Sequence, residues 1–529
     1  MIRSSAILAA LLLGALPGSA APALALNPYE SRSDAVTRSE IDNLVLARLE
    51  KLHIEPASLC SDGVFVRRAY LDVIGTLPSA QEAKDFILDR SPGKRRALVD
   101  KLLERDEFPD YWAMKWSDLL RVKAEFPVNL WPNAAQAYHR WIRTAIRENR
   151  PYDQFVRELL TTSGSNFRVG AVNFYRAMQN KDPQTIAQTV ALTFMGARAE
   201  KWPKEKLAGM SAFFSKVGYK CTSEWKEEII FFDAGKTNAP DTNCVVPATA
   251  VFPDGTTARI TADRDPREVF ADWLIDPKNP WFTRNIANRT WSWLLGRGII
   301  HEADDIRPDN PPANPELLAY LERELIASHY DLKKLYRLIL NSRTYQLSAV
   351  PRTDSPEAEA NFAHYLLRRL EAEVLIDALD EITGTTEQYS SAIPEPFTYI
   401  PGSHRSITLP DGSITSSFLE LFGRPSRDTG LESERNNRPS ADQRLHLLNS
   451  SHIQRKIDQC RMVQYLTQGK KTPREIATGM YLGILSRFPT ETELQNVEAY
   501  FEAGKMKPRE AAVDLAWALV NGAEFLYRH

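Results

Sequence analysis

The sequence predicts a mainly α, multi-helical protein of two domains with a small β insert between them, and three observations carry that expectation. Apolar residues recur at helical spacing through most of 39–217 and again from 265 onward. Between those regions, 219–261 switches to short β-branched and aromatic runs bounded by Gly, Pro and Asp. A length of 529 residues also exceeds what one core ordinarily organises. The boundaries read as a signal peptide over 1–25, an N-terminal helical domain over 26–217, a β insert over 218–262, and a C-terminal helical domain over 263–529 with a loop-rich section at 384–439.

Taken in order, the leader comes first. Arg3, the apolar run 6–16 and the Ala23-Leu24-Ala25 site have the pattern of a secretory signal, so the mature chain is expected in a bacterial periplasm or at the cell surface. The apolar run is about half the length of a membrane helix, and no later stretch supplies one, so no transmembrane segment is expected after cleavage. Hydrophobic content of 43% and charged content of 25% are ordinary for a globular protein, and 66 basic against 68 acidic residues leave no basic surplus for nucleic acid.

Helices are predicted at 64–73, then from a Ser79/Glu82 capping box, at 110–122, at 135–147, and at 154–161 with Asp153 as N-cap. Strands are predicted at 228–233 and 244–252. Helices resume at 266–274, through the Arg284 segment, and at 315–328, 332–340, 361–382 and from 441. Of the four cysteines, Cys60, Cys221, Cys244 and Cys460, none forms a C-x-x-C pair, so neither haem nor a thiolate zinc site is expected. Cys221 and Cys244 are the candidate disulfide, with two reduced thiols as the alternative.

The stretch 284–312 concentrates the polar chemistry. At 100° per residue Phe282, Ile286, Ala287, Thr290, Trp291, Trp293 and Leu294 share an apolar arc, opposite Arg284, Asn285, Asn288, Arg289 and Ser292. Arg297 in a Gly-Arg-Gly turn, His301, Asp304, Asp305 and Arg307 follow. Either acid could hold Ca²⁺, whose ligands are hard oxygens, or could lock an arginine to the loop. Arg424, Arg427, Asp428, Glu432, Glu434 and Arg435 form a second polar cluster, and His446 is the other histidine with helical polar neighbours, Gln443 and Asn449. No G-x-S-x-G, H-E-x-x-H, P-loop or dinucleotide fingerprint is present.

Two internal echoes suggest a helical scaffold used more than once, with shared capping chemistry as the alternative. Tyr70, Pro78-Ser79, Glu82 and Glu107-Phe108 are matched by Tyr481, Pro489-Thr490, Glu493 and Glu524-Phe525. Trp116-Ser117 with Tyr152-Asp153 is matched by Trp291-Ser292 with Tyr330-Asp331.

Phe65-Val66-Arg67-Arg68-Ala69-Tyr70-Leu71-Asp72, Asn149-Arg150-Pro151-Tyr152-Asp153 and Thr193-Phe194-Met195-Gly196 resemble the planctomycete-specific cytochrome-like domain. The stretch 284–312, Leu340-Asn341-Ser342-Arg343-Thr344-Tyr345-Gln346, Leu367-Arg368-Arg369-Leu370-Glu371-Ala372-Glu373 and Phe422-Gly423-Arg424-Pro425 resemble its usual C-terminal partner domain. The resemblance implies an exported bacterial protein and names no reaction. Relatives usually carry a Cys-x-x-Cys-His segment after the Met-Gly pair and often a Cys-x-Cys-x-Arg near the later arginine. Here Ala197-Arg198-Ala199-Glu200 and Leu431-Glu432-Ser433-Glu434-Arg435 stand instead, so haem binding does not carry over.

The sequence thus points to a non-catalytic envelope protein that binds an envelope protein or a carbohydrate. The residues expected to line its cleft are Arg284, Asn288, Arg289, Arg297, His301, Asp304, Asp305, Arg307, Arg424, Glu434 and Arg435. The alternative is a carboxylate- or metal-assisted hydrolase of an envelope or extracellular polysaccharide. No cofactor is expected.

Overall fold

Capping side chains set many of the helix starts in the computed structural model, which describes residues 27–31, 38–236, 249–261, 263–400, 402–503 and 506–529. The signal-peptide segment therefore lies outside the described residues. Helix α1 (Glu40–Lys51) opens on a Ser39/Asp42 box. It is followed by α2 (Asp62–Val73), α3 (Ala80–Leu88) and α4 (Lys94–Leu103), with the Ser79/Glu82 box formed as predicted. Then come α5 (Glu107–Leu119), α6 (Pro132–Arg147), α7 (Tyr152–Thr161), α8 (Pro183–Met195) and α9 (Lys204–Ser211).

The second half continues with α10 (Pro266–Leu274), α11 (Phe282–Leu295), α12 (Pro315–Ala327), α13 (Leu332–Leu340) and the short α14 (Pro356–Ala360). Next are α15 (Ala372–Thr383), α16 (Ser417–Leu421), α17 (Ala441–Asn449), α18 (Ser451–Asp458) and α19 (Arg461–Thr467). Helices α20 (Pro473–Leu485), α21 (Glu491–Ala503), α22 (Pro508–Val520) and α23 (Ala523–Leu526) complete it. The fold is mainly α, and no helix among the described residues is long and apolar enough to cross a membrane.

Both echoes fall on corresponding helices. In α2–α3–α4 and in α20–α21–α22 the first helix packs on the second and third, and each middle helix begins at a Ser or Thr capping box. The two units also touch: a Cβ on Gly63 of α2 would lie 2.9 Å from the Arg487 Cβ, so glycine permits the approach. The second echo sets α5–α6–α7 beside α11–α12–α13. Their corners meet where the Tyr152 N–H donates to the Tyr330 carbonyl at 3.0 Å and Asn149 donates to Asp331 at 2.9 Å. Between them Trp116 meets Trp293 edge-on with ring centroids 5.8 Å apart.

Three local expectations change. Helix α7 starts at Tyr152 after Pro151, placing Asp153 inside the first turn because proline fixes the φ that the chain needs to enter it. The predicted helix 361–382 is broken: Phe362 has φ 61°, and Arg368–Arg369 forms strand β4 against β5 (Tyr527–Arg528), so the helix begins only at Ala372. The insert sheet has the order β1-β3-β2. Its strands β2 (Val217–Cys221) and β3 (Glu228–Phe232) lie in the predicted region, but β1 (Gly164–Ser165) comes from the N-terminal domain. Of the predicted strand 244–252, 244–248 lie outside the described residues, and Val251 makes only an isolated bridge to Thr257. Cys221 is exposed and unbonded, and Cys244 lies outside the described residues.

One apolar core runs from Ile41 to Phe525 and draws on both halves. Charged residues that join the halves are consequently enclosed by it.

Candidate functional site

Helix α11 buries most of both arcs, leaving Arg284, Ser292 and Trp293 partly exposed. Phe282, Ile286, Trp291 and Leu294 are fully enclosed, and so are Asn285, Asn288 and Arg289. Such a polar face requires partners, and the following loop supplies them. Asn288 accepts from the Ile300 N–H at 2.8 Å and donates to its carbonyl at 2.9 Å. A Cβ on Gly298 would stand 2.3 Å from that carbonyl, which explains the glycine. Arg289 donates through Nη2 to Asp304 at 2.5 Å and through Nη1 to Glu432 at 3.0 Å, while the Glu432 N–H donates to Asp304 Oδ2 at 2.6 Å. The Arg289 and Asp304 side chains are only 1% and 2% exposed, so their charges neutralise each other away from water.

The rest of that stretch disperses. Arg284 pairs with Glu322 at 2.8 Å, and Arg307 pairs with Asp305 and Asp309 at 3.1 Å each. His301 is exposed, and its carbonyl accepts from Asn310. Arg297 forms no ion pair among the described residues, and its buried Nε has no hydrogen-bond partner. Asp304 and Asp305 thus face different arginines, one inside and one at the surface.

The second cluster converges on two carboxylates from different halves. Arg435 grips Glu373 of α15 at 2.7 and 3.0 Å and Asp118 of α5 at 2.7 Å. Arg427 donates to Asp118 at 2.9 Å, and Arg424 stands 3.5 Å from Glu373. Burial alone would raise the Glu373 carboxyl, but Arg435 and Arg424 hold it below the usual carboxylate range. Glu434 instead ties its own loop, accepting from the Asp428 N–H at 2.8 Å and the Thr429 hydroxyl at 3.0 Å.

A third set is not singled out in the sequence as a site. Asp72 of α2 accepts from Arg528 at 2.7 Å, Tyr345 at 2.9 Å and Tyr365 at 2.8 Å. Arg528 also reaches Glu371, which Lys115 contacts at 2.5 Å. The available signal was charge inside otherwise apolar runs, in Phe65–Asp72 and Leu367–Glu373; the partner Arg528 lies 456 positions from Asp72.

The loop 302–306 borders both the segment after Gly196 and the segment at Glu432. Its Ile306 N–H donates to the Gly196 carbonyl at 2.8 Å, and its Asp304 receives Glu432. Among the described residues no group of three or more His, Cys, Asp or Glu side chains is arranged to hold a metal.

His139 on α6 provides a titration test of this buried layer. Burial, then Arg427 and Arg143, lower its pKa to about 3. The folded value is below the unfolded one of about 6.5, so the stabilising contribution is complete above that pH and is lost as pH falls toward the folded pKa. The slope is about 1.4 kcal/mol per pH unit. Asp377, raised to about 7 by burial, acts in the opposite sense over part of the same window. The test is therefore comparative: His139→Leu should flatten the rise of urea-unfolding free energy between about pH 4 and 6 by about one proton. An unchanged slope would refute the assignment.

None of these ion pairs lines the apolar cleft, of about 570 Å³, formed by α17, β4, β5 and the segment at Ser348–Val350. Val64, Leu367, Leu447, Leu448 and Leu526 provide much of its wall. Behind it, His446 stands 3.4 Å from His452, which is held at 3.0 Å by Glu387, and both rings meet Phe418 edge-on.

Fold and site together define a two-domain helical protein whose halves are joined through buried ion pairs. The family comparison agrees in order and extent: residues 40–217 match PSCyt2, a protein of unknown function (DUF1549), and 266–501 match PSD1, a protein of unknown function (DUF1553). The chain belongs to the planctomycete-type proteins built from this pair of domains. No curated protein and no solved structure matches it.

Proposed function

We propose that the protein is an exported, non-catalytic binding protein of the bacterial envelope, with its ligand in the apolar cleft and the Arg/Asp clusters acting as the joint between its halves. The leader pattern over 1–25 supports the address. The contrast between the two places carries the reading. Arg289, Arg427 and Arg435 already hold carboxylates, whereas the cleft has about 570 Å³ of space and mostly apolar walls. That volume lies within the usual range of small-molecule sites. A carbohydrate on such walls would leave hydroxyls unpaired, so an apolar ligand fits better than the carbohydrate suggested by sequence.

The test is fluorescence titration of the mature protein with the neutral apolar probe N-phenyl-1-naphthylamine. Saturable one-site binding is expected, weakened about tenfold or more by Leu448→Trp, which fills space in the cleft. Asp305→Asn, at the surface of the joint, should leave the titration unchanged. Binding that does not saturate, or that ignores Leu448→Trp, would overturn the proposal.

A further inference from the structure

One cationic group in the cleft has no counter-charge. Arg369 lies in β4, is 6% exposed, and forms no ion pair among the described residues. Its Nη2 donates to the Phe422 carbonyl at 2.7 Å, Nη1 donates to Gln443, and its buried Nε has no hydrogen-bond partner. The guanidinium carbon stands 5.3 Å from the centre of the Phe422 ring. Its neighbour Arg368, which does not line the cleft, lies 3.4 Å from the Asp72 carboxylate. Burial lowers the Arg369 pKa, opposed by the Tyr527 phenol. A buried charge held only by neutral oxygens is costly, and an anion arriving from outside would relieve that cost.

The remaining polar groups of the cleft leave this positive charge uncompensated. The Glu524 carboxylate lines the cleft but is held by Arg487 at 2.6 and 2.8 Å. His529 lines it as well: its main-chain oxygen accepts from Arg68 at 2.9 Å, and burial lowers its ring pKa to about 4, so the ring is neutral near pH 7. Arg444, exposed on α17 one residue beyond Gln443, adds a second cation at the rim and forms no ion pair among the described residues. One turn further along α17, Leu447 and Leu448 begin the apolar wall, which Leu367 (60% exposed) and Val350 (39% exposed) extend to the opening. The cleft therefore has a cationic end and an apolar length.

Resting on the reading of this cleft as a binding site, we propose that it takes a single-chain amphiphile with an anionic head, the head against Arg369 with Arg444 at the rim and the alkyl chain along Leu447, Leu448 and Leu367. Charge-assisted hydrogen bonds from a guanidinium suit both a carboxylate and a phosphate monoester. The shared chemistry is a compact oxyanion on an alkyl chain, from either a free fatty acid or a phosphorylated lipid.

The experiment is displacement of bound N-phenyl-1-naphthylamine by dodecanoate, dodecyl phosphate, dodecanol and dodecyltrimethylammonium, each below its micelle concentration. At least one anion should displace the probe at about tenfold lower concentration than dodecanol, with the cation weakest. Which anion is stronger distinguishes the two sources. Arg369→Gln should abolish the preference for acid over alcohol, and Arg444→Glu, at an exposed position that does not threaten folding, should reduce it severalfold. Equal displacement by acid and alcohol in the wild type, or a preference that survives both substitutions, would overturn the head-group assignment while leaving the apolar site intact. Failure of the neutral probe to bind at all would instead overturn the underlying reading.

Discussion

Arg289→Met is expected to lower the unfolding free energy by about 3–5 kcal/mol in urea denaturation, because it leaves a buried carboxylate without its cation. Asp304 would retain only the Glu432 N–H at 2.6 Å, and its side chain is 2% exposed. Methionine fills much of the vacated volume, so the loss reports the unpaired charge more than a cavity. Adding Asp304→Leu should restore part of the stability, since the cost of desolvating the acid disappears with it. Asp305→Asn is the control. Its partner Arg307 is about half exposed, so this surface pair should contribute less than about 1 kcal/mol. A loss for Arg289→Met no larger than for Asp305→Asn would show that the joint is not held by its buried pair.

The second large effect is expected at the other end of the chain. Arg528→Met removes a 1%-exposed guanidinium that meets Asp72 at 2.7 Å and the Tyr111 hydroxyl at 3.0 Å and also reaches Glu371. A loss of about 3–5 kcal/mol is expected, and the two acids left behind will not suffer equally. Asp72 keeps the hydroxyls of Tyr345 and Tyr365, and Glu371 keeps Lys115. Asp72→Asn combined with Arg528→Met should therefore lose less than the sum of the single changes, the mark of coupled residues. Strict additivity would count against the hub. Arg289 and Asp304 do not line the cleft, so an Arg289→Met variant that still folds should bind the neutral probe as the wild type does.

Much of the helical framework was legible because its signals are local. The Ser79/Glu82 box and the apolar period of α11 act within a few residues, and the structure forms both. The echoed capping boxes were legible as well, since Tyr-Pro-Ser/Thr-Glu spacing encodes a helix, a turn and a cap. The broken segment before Ala372 was not, because β4 exists only through pairing with Tyr527–Arg528, more than 150 positions away. Likewise Asp153 carried a good capping side chain, yet α7 starts two residues earlier, after Pro151.

The site followed the same division. Sequence alone determined that residues 284–312 hold a dense polar joint, that Asn288 and Arg289 share one helix face, and that Asp304 and Asp305 follow on a loop. Only the tertiary structure decided that Asp304 turns inward to Arg289 while Asp305 turns outward to Arg307, and that Arg424, Arg427 and Arg435 meet Asp118 and Glu373 from other helices. It also decided that Arg369, next to an arginine that reaches a carboxylate, has none of its own among the described residues. Helix periodicity is written into neighbouring residues, whereas the pairing of a buried charge depends on which distant segment the core brings against it.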